Sequence, residues 1–180
     1  MKSDVGSEQA GRARGWWWLP LSLLIIALDQ WTKLLAIEHL PYGVPQAVMP
    51  SLNWTLVHNH GGAFSFLSDH DGWQRWLFLV LASAITLVLL EWLRRTPARV
   101  WALCLPLALL IGGAIGNLID RVRLGYVIDF VQVYWREWAW PAFNIADSGI
   151  TVGIILLLVY EVYGQRRHTA DTDADGSHTR

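Results

Sequence analysis

Asp129 and Asp147 flank the start of a long apolar stretch that begins near residue 142. Carboxylates beside hydrocarbon are costly and are seldom kept there without a use. Two of them brought together can divide the work of hydrolysis, because ionising the first raises the pKa of the second. One then takes a proton from water while the other, still protonated, hydrogen-bonds a carbonyl whose oxygen is becoming negative. The two apparent constants belong to the pair, not to either residue. Water attacks directly in this scheme, so no acyl-enzyme forms.

Other polar residues gather near the same place. Asn144 and Asp147 are three apart and share a helical face within about one turn of the interface. Capping competes as an explanation, since Asn and Asp favour helix starts, but a cap accounts for one such residue and leaves the returning Asp129 unexplained. Asn117 and Arg121 share a face at the end of another apolar stretch, beside Asp120, just after Gly112 and Gly116, whose spacing permits close helix packing. Asp29 and Lys33 form an i,i+4 pair inside a third stretch. Such a pair neutralises itself, so its ordinary reading is a structural ion pair.

The elements that must position these groups follow from composition. Of 180 residues, 53% are hydrophobic and 16% charged, which is a membrane-protein profile. Four stretches, about 16–37, 76–93, 100–119 and 142–163, approach or exceed the roughly 20 apolar residues a bilayer span needs. The first carries Asp29, Gln30, Thr32 and Lys33 and no small-residue cleavage site, so it reads as a retained helix rather than a signal peptide. Nine Lys and Arg fall before the first span, between the second and third, and after the fourth. Four fall in the other two loops, and Lys33 lies inside a span. The positive-inside rule then makes both termini cytoplasmic and puts the loops 38–75 and 120–141 outside. Most of the twelve Trp cluster at the predicted interfaces.

The outer loops contain two β-rich runs, 52–57 and 126–134, punctuated by Gly61-Gly62 and Gly125, which predict a small sheet resting on the outer leaflet. Trp135, Trp138 and Trp140 lie in a segment too short and polar to span, expected on the membrane surface over the aspartates, as a lid or an anchor. The polar ends, 1–15 and 165–180, read as disordered cytoplasmic tails around a membrane domain of 16–164.

Several functions are disfavoured. There is no basic stripe with interleaved aromatics, so nucleic acid is not an expected partner. Cys104 is the sole cysteine and reads as small apolar filler. His58 and His60 have no third ligand nearby, so neither a metal nor any other cofactor is expected. A Ser–Lys dyad from Lys33 with Ser65 or Ser148 has no supporting motif. A small proton-coupled transporter or channel component is the runner-up, since intramembrane Asp, Asn and Lys also line ion paths. A continuous polar path through the bundle would favour it.

Four blocks occur in order on these spans: Asp29-Gln30-Trp31-Thr32-Lys33; Asn59-His60-Gly61-Gly62-Ala63-Phe64; residues 112–121 with Val127-Ile128-Asp129-Phe130; and Phe143-Asn144-Ile145-Ala146-Asp147-Ser148. Over roughly residues 22–163 the chain resembles the lipoprotein signal peptidases, the type II signal peptidases of bacteria. The resemblance implies an all-α membrane protein with a small β element: four transmembrane helices, an extracytoplasmic β-cradle and a surface helix. It also implies an aspartic endopeptidase of the inner membrane, active near the outer face. Its substrates would be prolipoproteins carrying a diacylglyceryl group on cysteine, met within membrane lipid, with the enzyme working as a monomer. Asp129 and Asp147 match the catalytic pair. Asn59, Asn117, Asp120, Arg121 and Asn144 match polar residues around it, and Asp29 and Lys33 match a motif taken as mainly structural.

Overall fold

The computed structural model describes residues 14–61 and 73–175. The Gly62-Ala63-Phe64 part of the second block, Ser65 and the terminal stretches 1–13 and 176–180 lie outside the described residues. A 3-10 turn, Gly15–Trp18, leads into α1, Leu19–His39, which starts with Pro20 in its first turn, where the missing N–H costs nothing. Strands β1, Gln46–Met49, and β2, Leu52–Asn59, follow, then α2, Trp73–Arg95, and α3, Trp101–Arg123. The chain continues through β3, Val127–Trp135, and β4, Trp138–Ala139, into α4, Ile145–Asp175. All four helices are long and apolar enough to cross a membrane.

Helix α3 is the hub. Its apolar window is 56% buried, against 11–22% in the other three, and it packs on α1, α2 and α4. Glycines permit this. A Cβ on Gly116 would sit 2.7 Å from the Asp29 carboxylate and 3.2 Å from the Cβ of Ala146, so α1 and α4 both close onto α3 at that level. At the other end of the bundle Leu93, Cys104, Leu107 and Ile111 form an apolar core.

The sheet is antiparallel, in the order β1-β2-β3-β4, with an irregularity in the β2–β3 register between Trp54 and Val57. Alternation along β3 turns Ile128 and Phe130 into a core with Ala36 and Leu56 and sends Asp129 to the opposite face. Phe143 bridges to Val131 through reciprocal backbone hydrogen bonds of 2.9 Å, which fastens β3 to the entry of α4.

The structure departs from the sequence expectations in three places. The segment carrying Trp135, Trp138 and Trp140 is a β-hairpin rather than the surface helix: β3 turns at Arg136 (φ 55°) and returns as β4. Alternating Val131, Val133 and Trp135 suit a pleated strand, and the free edge of β3 offers the second partner. Strand β1, which the sequence pattern did not predict, pairs with β2. Helix α4 continues to Asp175, where an irregular tail was expected from 165, because a helix already nucleated by an apolar span extends at little cost.

Candidate active site

Asn144 is the residue before α4 and receives the Asp147 N–H on its side-chain oxygen at 2.8 Å, while the Asp147 carboxylate accepts the Asn144 N–H at 3.4 Å. This is a reciprocal capping box. Capping therefore accounts for both Asn144 and Asp147, contrary to the sequence argument that it could explain only one. It leaves over the other Asp147 oxygen, which accepts Asn117 Nδ2 at 2.7 Å, and all of Asp129.

Asp129 arrives from β3 and is almost wholly buried, at 1% exposure. Its two oxygens accept Asn144 Nδ2 at 2.6 Å and Asn59 Nδ2 at 3.0 Å. The carboxylates of Asp129 and Asp147 are thus joined through Asn144, which touches both, and through a 3.2 Å contact from Asn144 Nδ2 to Asn117 Oδ1. Burial pushes the pKa of Asp129 up to about 7, with the Asp147 charge adding to the rise. The hydrogen bonds from Asn59 and Asn144 and the charge of Lys33 pull the other way without cancelling it.

Beneath this pair lies a second cluster. Lys33, 2% exposed, places its ammonium 2.8 Å from Asp29 Oδ2, 2.8 Å from Asp120 Oδ2 and 3.1 Å from Asn117 Oδ1. Asp29 accepts the Ala146 N–H at 2.9 Å and so helps cap α4, and Asp120 accepts the Ile128 N–H at 3.2 Å, beside Asp129 on β3. Gln30, named in the first block but not singled out as a site residue, donates to Asp120 Oδ1 at 2.9 Å and to Asp29 Oδ2 at 3.2 Å. Its signal in the sequence was a neutral amide beside Asp29 within an apolar span.

The structure thus brings together Asn59, Asn117, Asn144, Asp129 and Asp147 in direct contact, with Asp29, Lys33 and Asp120 one layer below. Arg121 donates to the Asn117 carbonyl at 3.5 Å and stacks over Phe78, with its charge felt by Asp147, Asp129 and Asp120. Among the described residues no group of three or more His, Cys, Asp or Glu side chains could hold a metal ion. His58 stacks on Tyr126 at 4.1 Å, and Ser148 donates to the Asn144 carbonyl rather than meeting Lys33. A separate cavity of about 410 Å³ opens on the Phe130 face of the sheet, lined by Thr32, Leu35, Ala36, His39, Leu40, Trp54 and Phe130.

Comparison with known proteins shows the family. The family model described as signal peptidase (SPase) II matches residues 21–163. A lipoprotein signal peptidase of Acinetobacter baumannii is 52% identical over 157 residues, covering 87% of this chain and 89% of that protein. One from Acinetobacter baylyi is 55% identical over 142 residues, 79% of each chain. One from Xylella fastidiosa is 52% identical over 139 residues, 77% of this chain and 83% of that one. A solved structure described as a bacterial membrane enzyme, determined by the in meso method at 2.3 Å resolution, superposes with a TM-score of 0.74 at 28% identity, covering 86% of this chain and 92% of that one.

Proposed function

Because the chain belongs to the signal peptidase II family, we propose that it is an aspartic endopeptidase that removes the signal peptide from diacylglyceryl-modified prolipoproteins, cutting on the N-terminal side of the lipidated cysteine. The observation that carries the aspartic mechanism is the pairing of Asp129 and Asp147 through Asn144, with N–H donors on all four carboxylate oxygens. A pair of this kind, one member of which has its pKa raised by burial to about 7, can hold one proton between two carboxyls near neutral pH. The ionised member takes a proton from water as it attacks the scissile carbonyl. The protonated member hydrogen-bonds the developing oxyanion and then delivers a proton to the leaving nitrogen, so atoms and charge balance without a covalent intermediate. No cofactor is needed.

The protein is a multi-pass inner-membrane enzyme, with both termini in the cytoplasm and the pair near the outer face. That placement lets water reach the pair while a lipid-anchored substrate enters sideways. The exposed Trp135, Trp138 and Trp140 of the β3–β4 hairpin and its approach suit the headgroup layer. The transporter reading loses support from the apolar core of Leu93, Cys104, Leu107 and Ile111, which occupies the other end of the bundle among the described residues. The test is direct. Purified protein in detergent or lipid is incubated with a diacylglyceryl-modified preprotein and the shortened product is sought; an uncut preprotein beside an active control enzyme refutes the reading.

A further inference from the structure

The three asparagines around the pair all present N–H, not carbonyl, to a carboxylate, and in each the reason is a donor aimed at the amide oxygen. An amide reversed by 180° would put its NH2 against that donor. In Asn59 the donor is the Gly61 N–H at 2.9 Å, and in Asn144 it is the Asp147 N–H at 2.8 Å. Both are backbone groups held by the fold. Asn117 differs, because its oxygen is met by two side chains, Lys33 Nζ at 3.1 Å and Asn144 Nδ2 at 3.2 Å. The Asn144 donor is weakly committed, since its two hydrogens are shared among Asp129 Oδ1 at 2.6 Å, the Ile128 carbonyl at 3.2 Å and Asn117. Lys33 is fully committed: an ammonium has three hydrogens and no acceptor, and they match Asp29, Asp120 and Asn117.

We propose that Lys33 is a positioning residue for the reaction, which orients the Asn117 amide so that Asp147 receives a hydrogen bond and is held as an acceptor. The ion pair that looked merely structural in the sequence thereby fixes which end of an amide faces the pair. The inference rests on the reading of Asp147 as half of the acid/base pair. Without Lys33 the Asn117 amide is free to turn its oxygen toward Asp147, which disfavours the ionised form the reaction needs. The charged groups facing Asp147 are Lys33 and Asp29 from α1, Arg121 from α3 and Asp129 from β3. Removing Lys33 alone would therefore change charge and orientation together.

A double variant separates the two. Lys33→Met with Asp29→Asn removes one positive and one negative charge, so the net charge of the Asp29–Lys33–Asp120 cluster stays as it is; Asp120 gives up its ammonium and keeps the hydrogen bonds from Gln30 Nε2 and the Ile128 N–H. Cleavage of diacylglyceryl-modified preprotein is followed across pH. The double variant is expected to lose about tenfold in kcat near neutrality, with KM within about twofold, and to move the acid limb of the kcat profile upward by about one unit. Asp29→Asn alone, which keeps the Lys33 donor and removes only a negative charge facing Asp147, should not move that limb upward. A double variant whose acid limb coincides with that of the wild type overturns the proposal.

A second measurement uses the unaltered protein and does not depend on variants folding. With asparagine labelled by 15N in micelles, the side-chain NH2 signal of Asn117 should follow the titration of the pair, because its hydrogens face Asp147. A signal indifferent to that titration overturns the proposal equally. If the wild type fails to cleave, or Asp147→Asn still cleaves, the functional reading fails instead, and the NMR result alone decides the amide orientation.

Discussion

Two pairs of carboxylates meet in this molecule, and they differ in the donors bonded to them. Asp29 and Asp120 share the Lys33 ammonium, bonded to one oxygen of each at 2.8 Å. Asp129 and Asp147 receive hydrogen bonds from amides only: the side chains of Asn59, Asn117 and Asn144 and the Asn144 backbone. The Lys33 ammonium is bonded to both carboxylates of the first pair at once and so ties α1 to α3. Neutral donors orient a carboxylate without dictating its charge, so the second pair is able to gain and lose a proton. The lesson is that burial does not sort the four carboxylates, since Asp29, Asp120 and Asp129 are buried and Asp147 is half-buried; the absence of a bonded ammonium separates a pair suited to acid/base work from one suited to holding helices together.

The largest effect should come from neutralising the second pair. Asp129→Asn and Asp147→Asn are each expected to lower cleavage of lipidated preprotein by about a thousandfold or more while leaving inserted, folded protein, since removing one member of a unit disables the whole. Near-normal turnover in either variant would break the comparison. The first pair should answer in stability instead. Asp29→Ala strips Lys33 of one partner and the Ala146 N–H of its cap, and leaving a buried charge under-compensated typically costs about 3–5 kcal/mol. The measurement is the unfolding midpoint in detergent, and an unchanged midpoint contradicts the structural role.

The pH dependence sharpens the contrast. Burial raises Asp129, so its proton is retained as pH climbs to about 7 and is lost above that. Activity that needs one shared proton should be present below this region and fall as pH rises through it. The hydrogen bond from Asn59 favours the ionised form, so Asn59→Leu removes a lowering influence and should move the alkaline limb upward, by about one unit or less. A downward move would show the sign to be wrong. Gly116→Ala should have a smaller effect, because a methyl group there overlaps the Asp29 carboxylate and forces α1 from α3; overpacking costs about 1–3 kcal/mol. Smallest of all, chelators should leave turnover unchanged, and loss with EDTA restored by zinc would overturn the metal-free scheme.

Much of the fold was legible in the sequence, because its strongest signals are local. Apolar length marks the four helices, β-branched and aromatic runs mark β2 and β3, and Gly125, at φ 87°, ends α3 as a left-handed cap. Strand β1 and the β3–β4 hairpin were missed because they exist by pairing with an edge that another strand supplies. The surface helix is what the resemblance implies; the hairpin Trp residues themselves indicate only a membrane-surface segment, which an exposed strand and turn satisfies equally well.

The sequence by itself determined that this is a four-helix membrane protein with its polar residues gathered at one end, and which residues those are. Residue type and apolar run length are properties of the chain, and the cost of burying charge makes their exceptions stand out. Only the tertiary structure decided what each polar residue does. Asp29 and Lys33 are one helical turn apart in any fold, but that their cluster reaches Asp120, caps α4 and orients Asn117 depends on α3 lying between α1 and α4. The contact between Asn144 and Asp129 likewise exists only because Phe143 is stitched to Val131. Hydrogen bonds act over about 3 Å, and no pattern along one chain specifies which distant donors will come that close.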